Sequence, residues 1–503
     1  MFTDKPNDIQ RDILNTAENV LLFDQKSLAT LFKTIEYAKI AHQNQLRKSN
    51  EPYIVHPLWI ARYLANKKFD LVTMQASLLH DVPEDTNITL QMVKNEFGSD
   101  VANLVDGVTT LGKIRLKNIS RPIELNRQIE TLKKMFLAMS KDIRVIIIKL
   151  VDRLHNMLTL EFVNPEKRIR IAEETLDIYA QIACRLGMGE IESVLQDLSF
   201  PYILPKEYPD FIINYRKAVK KQSRYFEKIK KQIIKKLVKN NIKAVKVYGR
   251  IKSEYSTYIK IAKQNINPDK LQDLIALRVI VENKDECYKV LGIMHNYFKP
   301  VADRFTDYIS QPKPNGYQSL HTTVFGPEGI MLEIQIRTET MHEQAENGIA
   351  AHWYYSEQKN VLRKKYDQIS GKSPEKKLKW LQELAKFQGI ISDPQEFANS
   401  MKIDFFSDRI FVYTPTGDVK DLPQDATPID FAFSIHSELG YSMVGAKING
   451  KITQISTPLN SRDIVEILIS KKSQGPKRDW LDIVKTANAR YHIKKYLRNK
   501  EKV

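Results

Sequence analysis

The chain lacks most of what would mark a secreted, membrane-spanning or metal-stapled protein. Its 503 residues include two cysteines, Cys184 and Cys287, far apart and without metal-ligand spacing, which excludes a disulfide framework or zinc ribbon and favours a reducing compartment. No apolar run approaches the roughly 18 residues of a membrane helix. The strongest, around Val145 to Val151, is interrupted by Lys149. The opening MFTDKPNDIQRD carries acids early and has no apolar core of a signal peptide, so a soluble, cytoplasmic protein is expected. A GxxxxGK[ST] motif is also missing, which rules out a P-loop nucleotide site.

Acidic residues are nearly absent from one stretch. Residues 216–246 hold 13 Lys/Arg against Glu227, a local +12 within a net charge of +18. Such a helix-compatible run fits RNA or a membrane surface, and fits equally a solvated helix bordering a polyphosphate site.

What is present has two grammars. Up to about residue 200 apolar residues recur at three- and four-residue intervals, as in LATLFKTIEYAKIAHQNQ, and an all-α domain is expected. Within it His56, the His80-Asp81 pair and Asp152 supply two imidazoles and two carboxylates, a nitrogen and oxygen mixture that suits manganese or iron. Glu84 and Asp85 follow closely enough to handle a proton on a metal-bound water. The plain alternative is a pair of hydrogen-bonded core histidines with capping acids.

Beyond about residue 205 short β-branched strands alternate with helices, which predicts an α/β sandwich with a mixed sheet. RFTDYISQPKPNGYQSLH (304–321) gathers cations, an aromatic ring and hydrogen-bonding groups around one turn. Arg304 and Lys313 suit phosphate oxygens, Asn315 and His321 can fix orientation, and Tyr317 offers a face for a purine. Asp273 opens one strand, and alternation puts Glu333, Gln335 and Arg337 on one face of another. A magnesium-bound triphosphate needs such acids, and cations such as Arg250, Lys252 and Lys260. A solvated surface loop and an edge-strand acid are the plain alternatives.

These segments resemble the RelA/SpoT family of (p)ppGpp synthetase/hydrolases. The resemblance rests on His56, His80-Asp81, Glu84-Asp85-Thr86 and DRLHN (152–156), then on GRIKSEYS, DLIALRV, RFTDYISQPKPNGYQSLHT, EIQIRT and MHEQAENGIAAHW in family order. It implies manganese on His56, His80, Asp81 and Asp152, water activation by Glu84 and Asp85, and nucleotide contacts from Arg47, Lys48, Asn156 and Thr159. For the synthetase it implies that Arg250, Lys252, Ser256 and Lys260 hold ATP phosphates. Asp273 and Glu333 would serve magnesium and the attacking hydroxyl, and Tyr317 would stack on the acceptor guanine. The chain departs from the family at Asn50 (usually Gly), Pro83, Leu158 (commonly Arg), Cys184 (usually His) and Thr306, where bifunctional members carry Lys.

The segment after Asp408 resembles the β-grasp TGS domain. The expected organisation is multidomain α+β: an HD hydrolase domain (1–200), a nucleotidyltransferase-like synthetase domain (205–355), a helical connector (356–402), a TGS domain (403–468) and a basic helical tail (469–503). Family members continue into further regulatory domains, and this chain either is shortened after the TGS domain or lacks them. The resemblance implies a GTP pyrophosphokinase that is also a guanosine-3′,5′-bis(diphosphate) 3′-diphosphatase. Its partners would be ATP, GTP or GDP and (p)ppGpp, with ribosome or tRNA contact through the TGS domain. The alternative is an RNA-binding regulator in which a catalytic domain has decayed.

Overall fold

The computed structural model describes residues 5–112, 138, 141–244, 246–264, 274–313, 316–348, 409–470 and 473–500. These fall into two compact units, one up to residue 348 and one from residue 409; the expected connector lies outside the described residues. Among the described residues no helix is long and apolar enough to cross a membrane.

The first part of the larger unit is helical. Asp24, Asp70 and Thr89 each start a helix by accepting a backbone N–H three residues on, from Ser27, Thr73 and Met92. The helix Arg144–Leu158 is buried along most of its length, with Val145, Ile146, Ile147, Ile148, Leu150, Val151 and Leu154 all in the core. A helix apolar on nearly every side belongs inside a domain. Lys149, Asp152 and Asn156 on it are spaced by three and four residues, so these three form one stripe.

The second part is a five-stranded mixed sheet, β1 (Lys246–Ile251), β2 (Ile275–Val281), β3 (Pro300–Asp307), β4 (Leu320–Phe325) and β5 (Met331–Thr338), in the order β1-β2-β5-β4-β3. Only β2 and β5 pair in parallel. One face is apolar. Leu277, Val279 and Val281 of β2 with Leu332, Ile334 and Ile336 of β5 pack on Phe226, Ile229, Ile233 and Leu237 of the helix Tyr208–Lys239, and on Val290 and Met294 of the helix Lys284–Tyr297. The basic run is therefore a helix whose apolar stripe is core, while Lys217, Lys221, Arg224, Lys228, Lys231 and Lys235 are exposed.

The smaller unit carries a two-stranded sheet of β6 (Arg409–Tyr413) and β7 (Val419–Pro423), and a three-stranded sheet ordered β10-β8-β9, of β8 (Met443–Ile448), β9 (Lys451–Thr453) and β10 (Val465–Ile469). The basic tail is part of its core: Trp480, Val484 and Ile493 pack with Ile429, Phe433 and Met443. Asp430, fully buried, caps its own helix through Thr427 and accepts from the backbone of Lys485 and Thr486, which ties the tail down.

Gly249 of β1 lies under the helix Tyr208–Lys239, where a Cβ would stand 2.8 Å from the Phe226 ring and 3.0 Å from Ile275. Gly249→Ala should therefore destabilise the unit, by about 1–3 kcal/mol for an overpacked site. Gly292→Ala, with nothing within 4 Å of the added carbon, should be neutral or mildly stabilising. Thermal unfolding of both variants checks this, and equal midpoints would show that Gly249 is not held by packing.

Candidate active sites

The first centre forms where four helical segments meet. The helix Leu71–Leu79 ends at His80, the short helix Val82–Asp85 starts after Asp81, and Pro83 occupies an early helical position, where a missing N–H does no harm. His56 comes from the start of the helix Val55–Asn66 and Asp152 from the polar stripe of Arg144–Leu158. His56 Nε2 is 3.2 Å from Asp152 Oδ1 and 3.6 Å from Asp81 Oδ2, and His80 Nε2 is 3.2 Å from Asp81 Oδ1. His56, His80 and Asp152 can each offer a ligand atom within 4.8 Å of the others, all buried. Despite that 3.2 Å approach to Asp81, the buried His80 Nε2 makes no well-aligned hydrogen bond among the described residues. These two imidazoles and the Asp152 carboxylate, with Asp81 Oδ1 beside His80, fit a divalent cation.

Charge at this centre is concentrated. Burial would raise the Asp152 carboxyl, but Lys149, its Nζ 2.7 Å from Oδ2, and His56 hold it well below the usual range. Burial acts the same way on Asp81 and is outweighed by His80, while the Asp81 carboxylate lifts His80 to about 9 against its own burial. Both carboxylates are thus ionised, as metal ligation requires, and a cation binding there would displace the proton that Asp81 holds on His80.

Around these groups, Arg47 Nη2 donates to Asn156 Oδ1 (3.2 Å) and Thr159 Oγ1 (3.1 Å), which brings together three of the four residues expected to meet nucleotide. Lys48 is exposed beside them in sequence. Asp85 Oδ2 and Asp81 Oδ2 each lie 2.8 Å from the Tyr53 hydroxyl, and Glu84 is half-buried on the same turn. Asn50 adopts φ +62°, a left-handed backbone that glycine takes without cost and asparagine tolerates best among the others. Tyr53, Lys149 and His155 were not among the sequence-predicted residues. For Lys149 and His155 the signal was available in helical spacing, since each lies three residues from Asp152 on one helix.

The second centre is the polar face of the five-stranded sheet. Strand register aligns Tyr248, Arg278, Gln335, His321 and Thr306 in one row crossing all five strands. Glu333, one pair further along β5, accepts from Lys252 Nζ (2.8 Å) and Gln335 Nε2 (2.9 Å), so its carboxyl lies below the usual range despite burial. Glu346 Oε1 accepts from Arg278 Nη1 (3.0 Å) and Arg337 Nη2 (3.1 Å). Arg337 is fully buried, and its Nε and Nη1 have no partner among the described residues. The Tyr317 hydroxyl is 2.7 Å from His321 Nε2, and Lys313 Nζ is 5.3 Å from the Tyr317 ring. Arg250 is half-buried at the end of β1, Ser256 exposed and Lys260 half-buried on the helix Glu254–Gln264, and Arg304 exposed on β3. Asp273 and Asn315 lie outside the described residues. Arg278, Tyr248 and Glu346 were not foreseen: an arginine inside the fully buried strand IALRVIV was the one cue.

Three family matches follow one another along the chain: the HD domain over residues 34–189, the region found in RelA/SpoT proteins over 249–360, and the TGS domain over 410–469. In domain content and order the chain is similar to RelA/SpoT proteins. It is 45% identical over 470 residues to a GTP pyrophosphokinase of Myxococcus xanthus, covering 93% of this chain and 60% of that one. It is 41% identical over 462 residues to the bifunctional (p)ppGpp synthase/hydrolase SpoT of Escherichia coli, covering 92% and 64%. A guanosine-3′,5′-bis(diphosphate) 3′-pyrophosphohydrolase of Aquifex aeolicus is 42% identical over 473 residues, covering 93% and 65%. The chain thus spans about three fifths of the length of these curated relatives. The HD match falls on the helical part and the RelA/SpoT match on the mixed sheet, with the TGS match on the small sheets that follow in the chain.

Burial holds the His321 imidazole at about 4, below the 6.5 of a free one. The unfolded chain therefore binds more protons than the native one between those values, and the contribution of this group is present above pH 6.5 and lost as pH falls toward 4. The thermal midpoint of the parent should fall more steeply across that window than that of His321→Gln. Parallel curves for the two proteins would mean that His321 titrates normally.

Proposed function

We propose that the chain is a bifunctional bacterial enzyme of the stringent response, which makes (p)ppGpp by pyrophosphate transfer from ATP to GTP or GDP and hydrolyses it again. The observation that carries this reading is the pairing, in one compact unit, of a buried His/Asp cluster with a sheet face rich in cations. The two have opposite chemical designs, and each suits one of two different reactions, forming or hydrolysing the bond between phosphorus and the 3′ oxygen.

In the hydrolase centre His56, His80, Asp81 and Asp152 would hold manganese, which when bound supplies Lewis acidity and an acidified water. The protein's own part is proton handling and positioning. Glu84 and Asp85 accept the proton of the attacking water, whose oxygen bonds to the phosphorus on the 3′ oxygen of the guanosine. The bond from that phosphorus to the 3′ oxygen breaks, the oxygen takes a proton, and pyrophosphate leaves. Arg47, Lys48, Asn156 and Thr159 bind the nucleotide.

In the synthetase centre the 3′-hydroxyl of the acceptor attacks the β-phosphorus of ATP and AMP departs. Magnesium, held by Asp273 and Glu333, would neutralise phosphate charge. Glu333, kept ionised by Lys252, is able to receive the hydroxyl proton. Arg250, Lys252, Ser256 and Lys260 hold ATP phosphates, Arg304 and Lys313 the acceptor's, and Tyr317 stacks on guanine while Asn315, His321, Gln335 and Arg337 orient it. The TGS domain is the surface for ribosome or tRNA, and the setting is the cytoplasm.

Labelled ATP with GDP, and separately ppGpp with manganese, test the two activities. Asp81→Ala should abolish pyrophosphate release from ppGpp and leave synthesis intact, and Glu333→Gln should do the reverse. Loss of both activities in either variant, or of neither, would overturn the assignment of two separate centres.

Thr306 is aligned with His321 across β3 and β4, so its side chain shares the synthetase face. Thr306→Lys adds a cation there and should raise acceptor kcat/KM, by no more than about tenfold, because a partly exposed charge contributes on the order of 1 kcal/mol. An unchanged kcat/KM in two active proteins would place position 306 out of reach of the nucleotide.

A further inference from the structure

Both candidate histidine ligands of the first centre present Nε2 to it, so each must carry its proton on Nδ1. For His80 the acceptor is its own helix: Nδ1 lies 2.7 Å from the Ser77 carbonyl oxygen. His56 Nδ1 has a different neighbour. It lies 2.9 Å from Nδ1 of His155, a residue with no exposed surface. Two imidazole nitrogens at that distance are compatible only if one donates and the other accepts.

Arg47 decides which. Its Nη1 lies 3.1 Å from the same His155 nitrogen, and a guanidinium carries donors only. His155 Nδ1 is therefore the acceptor, with its proton on Nε2, and His56 Nδ1–H donates to it. We infer that His155 is a positioning residue that fixes the tautomer of His56, and that Arg47 in turn fixes His155. The inference rests on the hydrolase reading given above.

Other contacts support the same arrangement. His155 is three residues after Asp152 on one helix, and its ring is packed against Trp59 at 4.8 Å between centroids, which restricts its rotation. The second arm of Arg47 does for the carboxylate what the first does for the imidazole: Nη2 donates to Asn156 Oδ1 at 3.2 Å, and Asn156 Nδ2 donates to Asp152 Oδ1 at 2.6 Å. One guanidinium thus reaches two candidate ligands, each through one intermediary. Residues standing behind metal ligands in this way change metal affinity by about 10–100-fold when removed.

The test uses the full chain and manganese alone. Asparagine sets an amide oxygen where Nδ1 of histidine stands, whereas leucine has no acceptor. His155→Asn should bind Mn²⁺ within about threefold of the parent, and His155→Leu about 10–100-fold more weakly, by electron paramagnetic resonance titration. In the metal-free protein, nitrogen NMR of labelled imidazoles should show His56 protonated on Nδ1 in the parent and in His155→Asn, and a mixture of tautomers in His155→Leu. If the leucine variant does not fold, His155→Gln, which moves the amide oxygen to the Nε2 position, takes its place with the same expectation. Equal Mn²⁺ affinity in parent and leucine variant, or a His56 tautomer that does not respond, overturns the inference. A parent that binds no Mn²⁺ while the tautomer still responds to His155 overturns the metal reading instead, and leaves the relay standing.

Discussion

Alternation along β5 is the constraint on which the sheet half of the larger unit depends. Successive side chains of a strand point to opposite faces, so Leu332, Ile334 and Ile336 go to one side and Glu333, Gln335 and Arg337 to the other. The apolar set has a large surface to cover, and the helices Tyr208–Lys239 and Lys284–Tyr297 cover it. The charged set is then fixed in place by the same packing. A slip of one residue would drive three charged or amide groups into an apolar core, so register here is enforced by burial, and register in turn aligns Arg278, Gln335, His321 and Thr306.

The helical half solves a different problem. Its centre buries two carboxylates, and an unpaired buried carboxylate is strongly disfavoured. Lys149 stands 2.7 Å from Asp152 and His80 beside Asp81, so each acid has a cationic or protonatable partner at hand. Those partners come from spacings that a helix supplies without long-range help: Lys149 and Asp152 are one turn apart, and His80 and Asp81 are adjacent at a break between two helices. The strong local pairing is why the site can persist in a buried setting.

That difference explains what could be read from the chain and what could not. His80-Asp81, Glu84, Asp85, and the trio Glu333, Gln335 and Arg337 are each legible because the relevant neighbours are close in sequence and a single period places them. The α+β order was legible for the same reason. What escaped were pairings that only the fold creates. His56 meets His155 across 99 residues and Tyr53 meets Asp81 across 28, and no periodicity connects them. Arg278 escaped because its strand reads as a continuous apolar run, and its partner Glu346 sits on a helix 68 residues on. The basic run was legible as a helix, but its burial against the sheet depended on β2 and β5, which lie far beyond it.

The synthetase face also carries an imbalance that packing alone does not explain. Two buried arginines, Arg278 and Arg337, share one oxygen of Glu346, and Arg337 keeps two buried donors without a partner among the described residues. Leaving a buried donor unsatisfied costs about 1–3 kcal/mol, more when it is charged. A core selected for stability alone would remove such a group, for apolar substitutes of similar volume are often neutral or stabilising. Under the proposed function, a site for anionic nucleotides gains from retaining it, because donors held rigidly by β5 need no rearrangement when phosphate oxygens or a base edge arrive. The strain falls on the strand whose register is most firmly fixed, flanked by Ile334 and Ile336 in the core, and that is where a fold can best tolerate it.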